Sequence, residues 1–88
     1  MDYFVYIAKN TQNRLYTGQT TDLDQRILRH NKKRGALFTE RFGDFHIVYH
    51  EKYQSLLEAM RREKQIKGWT RKKKEALITG DIKLLKEL

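Results

Sequence analysis

Residues Tyr3 to Ala8, Tyr-Phe-Val-Tyr-Ile-Ala, form an unbroken apolar and aromatic run. A strand with one face in water alternates apolar and polar side chains, whereas a run with no polar face needs cover on both sides. The residues are strand formers, so the run reads as a central strand with a neighbour along each edge. Eighty-eight residues are enough to bury such a strand without disulfides or a structural metal, and they leave nothing for a second domain. One α/β domain over residues 1–88 is expected, a small three-stranded antiparallel sheet flanked by helices.

The partners of that strand follow from the punctuation around it. Asn10-Thr11-Gln12-Asn13 supplies turn chemistry, and Leu15 to Thr20 reads as the returning strand of a hairpin turning near residue 11, with Tyr6 and Tyr16 opposite or nearly opposite each other. Thr21 and Asp24 resemble a capping box opening a helix to about Asn31, with Leu23 and Ile27 facing the core. Residues 31–44, with Gly35, Gly43 and many charges, read as a connection with a turn of helix around Leu37-Phe38-Thr39. Phe45 to Glu51 reads as the third strand, alternating Phe45, Ile47 and Tyr49 against His46, Val48 and His50. Ser55 with Glu58 caps a helix to Lys67, stopped by Gly68; Thr70 caps another through Ile78; Ile82 to Lys86 is a last short helical piece after Gly80.

Nineteen lysines and arginines against eleven acids give a formal charge of +8, which favours a polyanionic partner, nucleic acid first among them. With no cysteine there is no disulfide framework and no thiolate metal site, and three scattered histidines do not suggest a zinc centre. The start, Met1-Asp2-Tyr3-Phe4, resembles neither a signal peptide nor a membrane span, so a cytoplasmic protein is expected.

One carboxylate stands out. On the helix from Ser55, Leu56, Ala59, Met60 and Ile66 form an apolar stripe, and Glu63 falls in its middle. Such a carboxylate needs a partner, either Arg26 or another cation closing over it, or a hard metal ion at the edge of the core. Arg26 and His30, four apart, project side by side; an arginine fork suits a phosphoryl group, though a solvated helix face accounts for the pair equally. Tyr6 and Tyr16 are ordinary packing residues unless a neighbouring cation favours the phenolate and makes one a general base. Gly18 allows either a close approach of backbone to ligand or a bulge. The eight basic residues Arg61, Arg62, Lys64, Lys67, Arg71, Lys72, Lys73 and Lys74 can follow a phosphate backbone, although helical periodicity spreads them around two helices. Trp69 either stacks on a base or seals the joint between those helices.

Taken together and in this order, these residues resemble the GIY-YIG nuclease domain, in particular small stand-alone proteins related to the N-terminal nuclease domain of the UvrC-type excision-repair subunit. Val5-Tyr6-Ile7 matches the first motif element and Tyr16-Thr17-Gly18 the second, with threonine in place of isoleucine; Arg26 and His30 match the following helix, Glu63 the metal-binding glutamate, and Trp69 to Lys74 the closing basic segment. The resemblance implies an endonuclease that hydrolyses DNA phosphodiester bonds with one Mg²⁺ or Mn²⁺ on Glu63. It implies that Tyr16, assisted by Tyr6 and His30, activates a water while Arg26 stabilises the transition state, and it leaves open which of the three takes the proton. DNA is favoured over RNA by resemblance alone, and without an additional DNA-binding domain structure-selective or weakly specific cutting in repair or recombination is expected. The competing expectations are a non-catalytic nucleic-acid-binding module and a basic accessory protein of a repair complex.

Overall fold

The computed structural model describes residues 1–24, 26 and 45–88. His30, the expected helix beyond its first turn and the connection over 31–44 lie outside the described residues. Tyr3–Lys9 (β1) is the central strand of a three-stranded antiparallel sheet, flanked by Leu15–Thr20 (β2) and His46–Tyr53 (β3) in the order β2-β1-β3. Val5, Tyr6 and Ile7 are fully buried and Ala8 nearly so, as a run without a polar face requires.

Asn10 builds the turn between β1 and β2. Its side-chain oxygen accepts from the backbone N–H of Gln12 (3.1 Å) and Arg14 (2.8 Å), and Asn13 takes a φ of 68°. The hairpin therefore turns later than expected, pairing Tyr6 with Gly18 and Ala8 with Tyr16. Tyr6 and Tyr16 are diagonal neighbours rather than opposite ones. Because the register moves by an even number of residues, both stay on one face.

The strict alternation expected of the third strand does not hold. A register shift opposite Ile7 and Ala8 separates Ile47, which packs with Tyr6, Ala8 and Phe45, from Val48 and Tyr49, which both pack on the other face. Beyond the bulge, the period of two puts Tyr49, Glu51 and Tyr53 together on that second face.

That face is covered by Leu56–Lys67 (α1), Arg71–Thr79 (α2) and Ile82–Glu87 (α3), capped by the side chains of Ser55, Thr70 and Asp81 respectively, with Gly80 in the left-handed conformation (φ 76°) after α2. No helix among the described residues is long and apolar enough to cross a membrane. Val5 and Ile7 pack against Ala59 and Ile66 of α1 and Leu77 of α2. The broader stripe expected on α1 is narrower here. Leu56 (46% exposed) and Met60 (48%) lie off it, because α1 rests on Ala59 and Ile66 and turns Arg62 toward the sheet.

Arg62 lands on Glu51. Its Nε and Nη2 donate to the two carboxylate oxygens (2.9 and 3.0 Å), and the hydroxyls of Tyr49 and Tyr53 donate to the same carboxylate, the latter at 2.6 Å. Burial works to raise the Glu51 carboxyl, but the hydrogen bonds of Arg62, Tyr49 and Tyr53 and the Arg62 charge outweigh it and hold it below the ordinary glutamate value. Burial and the anion beneath push the Tyr53 phenol up to about 12 and raise Tyr49 further.

A native pKa below the unfolded one gives a contribution that is complete above the unfolded pKa and is lost as pH falls through the native value. The difference in urea midpoint between wild type and Glu51→Gln should thus be constant near neutrality and close progressively below about pH 4.5; a difference unchanged down to pH 3 would exclude this account. Thr17, 5% exposed, buries a hydroxyl that finds no hydrogen-bond partner among the described residues. Thr17→Val should add about 1 kcal/mol of stability, read as a melting temperature higher by roughly 4–8 °C.

Candidate active site

The hairpin register places the Tyr6 ring over Gly18 of β2. A Cβ at Gly18 would sit 2.5 Å from the Tyr6 hydroxyl oxygen, 2.8 Å from Tyr6 Cζ and 3.1 Å from Tyr16 Cε1. The close approach that the glycine permits is that of the protein's own phenol. A bulge is not the reason, since the β1–β2 pairing runs without interruption through Gly18. Tyr16 lies beside Tyr6 with ring centroids 6.3 Å apart and meets Phe45 edge-on at 6.2 Å, so the two tyrosines and Phe45 form an aromatic floor on this face.

Arg26 reaches the floor from the first turn of the helix after β2. That helix starts one residue later than the expected Thr21 cap: Arg26 N–H bonds to the Asp22 carbonyl (3.0 Å), and the Thr20 hydroxyl accepts from Asp22 N–H (3.2 Å) and donates to Asp22 O (3.1 Å). Arg26 Nε donates to the Tyr6 hydroxyl oxygen at 3.3 Å, and the guanidinium also engages the Tyr16 hydroxyl. The neighbouring cation that a phenolate would need is therefore present. It does not prevail at Tyr6, where burial raises the phenol more than Arg26 lowers it, and the charges of Tyr16 and Glu63 add to the rise. Tyr6 stays protonated near neutral pH, accepting from Arg26 and keeping its own proton to donate.

Glu63 stands on α1 with its side chain 20% exposed and pairs loosely with Lys67 at 3.6 Å, Lys67 itself being 53% exposed. Of the alternatives for this carboxylate, the cation paired with it among the described residues is Lys67 of the next helical turn, while Arg26 is turned to the phenols. The Glu63 charge is the smallest of these influences on the Tyr6 phenol, and Glu63 lies on the helix that packs over β1 and β2. Among the described residues no group of three or more histidine, cysteine, aspartate or glutamate side chains gathers. A carboxylate such as Glu63, with its side chain 20% exposed, suits a hard divalent ion that keeps most of its water.

The basic residues divide. Arg62 is committed to Glu51 and to Gln65 (2.8 Å), Arg71 to Glu75 (2.7 Å), and Lys73 lies over the Trp69 ring at 4.6 Å, while Arg61, Lys64 and Lys72 are exposed. Trp69 packs against the core cluster with Arg62 over its ring at 5.0 Å, which is the joint-sealing role. A cavity of about 290 Å³ lined by Lys9, Leu15, Arg71 and Ile78 contains none of Tyr6, Tyr16, Arg26 or Glu63. The Glu51 cluster was not singled out in the sequence, although Tyr49-x-Glu51-x-Tyr53 at strand spacing is its signal.

The profile of the GIY-YIG catalytic domain matches residues 2–76. The chain belongs to the GIY-YIG family. UPF0213 proteins of Staphylococcus aureus strains Mu3 and N315 are each 43% identical to it over 76 residues, covering 86% of this chain and 93% of theirs. The solution NMR structure of the UPF0213 protein BH0048 from Bacillus halodurans is 40% identical and superimposes with a TM-score of 0.58 over 90% of this chain and 84% of that one. The matched span takes in β1 and β2, where the Tyr6 ring stands over Gly18.

Gly18→Ala should displace the Tyr6 hydroxyl and cost about 1–3 kcal/mol. Combined with Tyr6→Phe, which removes the 2.5 Å contact, the same substitution should cost less than in the wild-type background. Thermal melts of the four proteins in this cycle check it, and strictly additive effects would rule out the contact as the cause.

Proposed function

We propose that this chain is a divalent-metal-dependent endonuclease that hydrolyses DNA phosphodiester bonds, with structure-selective or weak sequence preference, in a repair or recombination setting. The observation that carries this reading is the position of Arg26, whose guanidinium spans the Tyr6 and Tyr16 phenols at the locality where the Glu63 charge is felt. Among the described residues its partners are hydroxyls rather than a paired carboxylate, and a guanidinium so held keeps donors and charge for a phosphoryl group.

Glu63 would hold the metal ion, Mg²⁺ or Mn²⁺, and when bound the ion supplies Lewis acidity and neutralises phosphate charge. Arg26 directs its remaining N–H groups to the phosphoryl oxygens and meets the negative charge that grows on them during in-line displacement. Burial keeps the proton on Tyr6, so Tyr6 orients Arg26 and donates its own hydrogen bond, while the Tyr16 hydroxyl relays a proton, taking one from the attacking water as it gives its own to solvent; His30, four residues beyond Arg26, is the other acceptor. Arg61, Lys64, Lys67, Arg71, Lys72, Lys73 and Lys74 supply phosphate contacts that position the duplex without reading bases, which is why weak sequence preference is expected. Arg62 is left out of this set because its fork is used on the half-buried Glu51, whereas the Arg71–Glu75 pair lies in solvent and exchanges readily for a phosphate.

A labelled panel of single-stranded, duplex, flapped and branched DNA with Mg²⁺, Mn²⁺ or EDTA tests the reading. Wild type should cut only with metal, and Glu63→Ala and Arg26→Ala should each lower kcat on the order of 10²–10³-fold while still binding DNA. No cleavage of any substrate by wild type, with binding intact, would leave a nucleic-acid-binding module in its place.

A further inference from the structure

We propose that the Glu51–Arg62 pair is a positioning device that sets the rotation of α1 and thereby aims Glu63 at the tyrosine–arginine site; this rests on the reading of Glu63 as the metal holder. Ala59 and Ile66, both fully buried, define the line along which α1 rests on the sheet. At about 100° per residue, Arg62 lies roughly 60° to one side of Ala59 and Glu63 roughly 40° to the other. The two side chains flank the buried line, with similar exposures of 23% and 20%. Arg62 is tied to β3 through Glu51, and β3 and β2 lie on opposite sides of β1. Fixing Arg62 on the β3 side therefore turns Glu63 to the β2 side, toward the sheet edge that the Tyr6 hydroxyl reaches over Gly18 from the opposite face.

Apolar packing alone does not fix that rotation. Within α1 only Ala59 and Ile66 are fully buried, and Leu56, Leu57 and Met60 are each 46% exposed or more. A side chain as small as Ala59 offers little resistance to rolling. A rotation of about 40° would carry Glu63 either over the sheet or out beside Met60.

Directional bonds supply what shape does not. Both oxygens of Glu51 are engaged by the Arg62 fork, and the hydroxyls of Tyr49 and Tyr53 hold the carboxylate from its own strand, so it cannot follow a rolling helix. Arg62 is held in turn by Gln65 Oε1 (2.8 Å) and by the Trp69 ring (5.0 Å). A half-buried ion pair adds little net stability over apolar residues of the same shape, whereas the angular demands of a bidentate pair set a geometry.

The test uses Glu51→Gln, Arg62→Lys and Tyr53→Phe in the full chain, with Glu63→Ala as the reference. Mn²⁺ affinity is read from the electron paramagnetic resonance of the free ion, kcat and KM on a DNA the wild type cuts, and the fold from circular dichroism, all below the melting temperature of every variant. Glu51→Gln and Arg62→Lys should weaken Mn²⁺ binding and lower kcat roughly 10-fold, leave KM for DNA within about twofold, and Tyr53→Phe should show a smaller change in the same direction. Arg62→Lys keeps the charge and loses the fork. Wild-type Mn²⁺ affinity and kcat in that variant would overturn the proposal, because a merely structural charge would then suffice. If Glu51→Gln does not fold, Arg62→Lys and Tyr53→Phe decide the matter. Glu63→Ala losing Mn²⁺ while the network variants bind as wild type overturns this inference alone; Glu63→Ala binding as wild type overturns the metal reading with it.

Discussion

A central strand with no polar face has to be covered twice, and in this chain the two covers differ in kind. On the side of Val5 and Ile7 the cover is helical and largely aliphatic. On the side of Tyr6 and Ala8 the described part mixes the aromatic rings of Tyr16 and Phe45 with Leu23 and Ile47. The first face carries Glu63 on α1 and the second carries Tyr6 and Tyr16, and Arg26 comes in from the chain leaving β2. The proposed site would lie where the two covers meet around an edge strand. At that point β2 carries Gly18, and the absence of a side chain there lets the tyrosine hydroxyl reach the rim of the sheet.

Much of this is legible in the residues because each signal rests on a local rule. The apolar run of β1, the caps at Ser55 and Thr70 and the stop at Gly68 depend on side-chain type and spacing, and the fold observes them. The grouping of Tyr6, Tyr16 and Arg26 was legible as a family pattern, and the contact between them follows from strand parity once the hairpin is formed. What was not legible depends on choices made at a distance. The register of β1 on β2 is settled by the Asn10 side chain bonding within the turn, and two even registers satisfy the same hydrophobic pattern. The bulge at Val48 cannot be seen from alternation, since it is a departure from alternation.

Arg62 shows the same limit from the other side. In a run of eight cations it looks like one more phosphate ligand, and only the pairing of β1 with β3 reveals the carboxylate beneath it. Leu56 and Met60 look like core at helical spacing and are half exposed, because the helix has turned to satisfy Arg62. Polar pairing here overrides hydrophobic periodicity on the helix that carries Glu63.

The hydrogen bond from Arg26 to Tyr6 has a consequence for the timing of an entropic cost. A free arginine side chain gives up about 2 kcal/mol of rotamer freedom when it is ordered. In this chain the Tyr6 and Tyr16 hydroxyls order it during folding. An anion bound there would meet a guanidinium already oriented, so more of the interaction would be retained as net free energy.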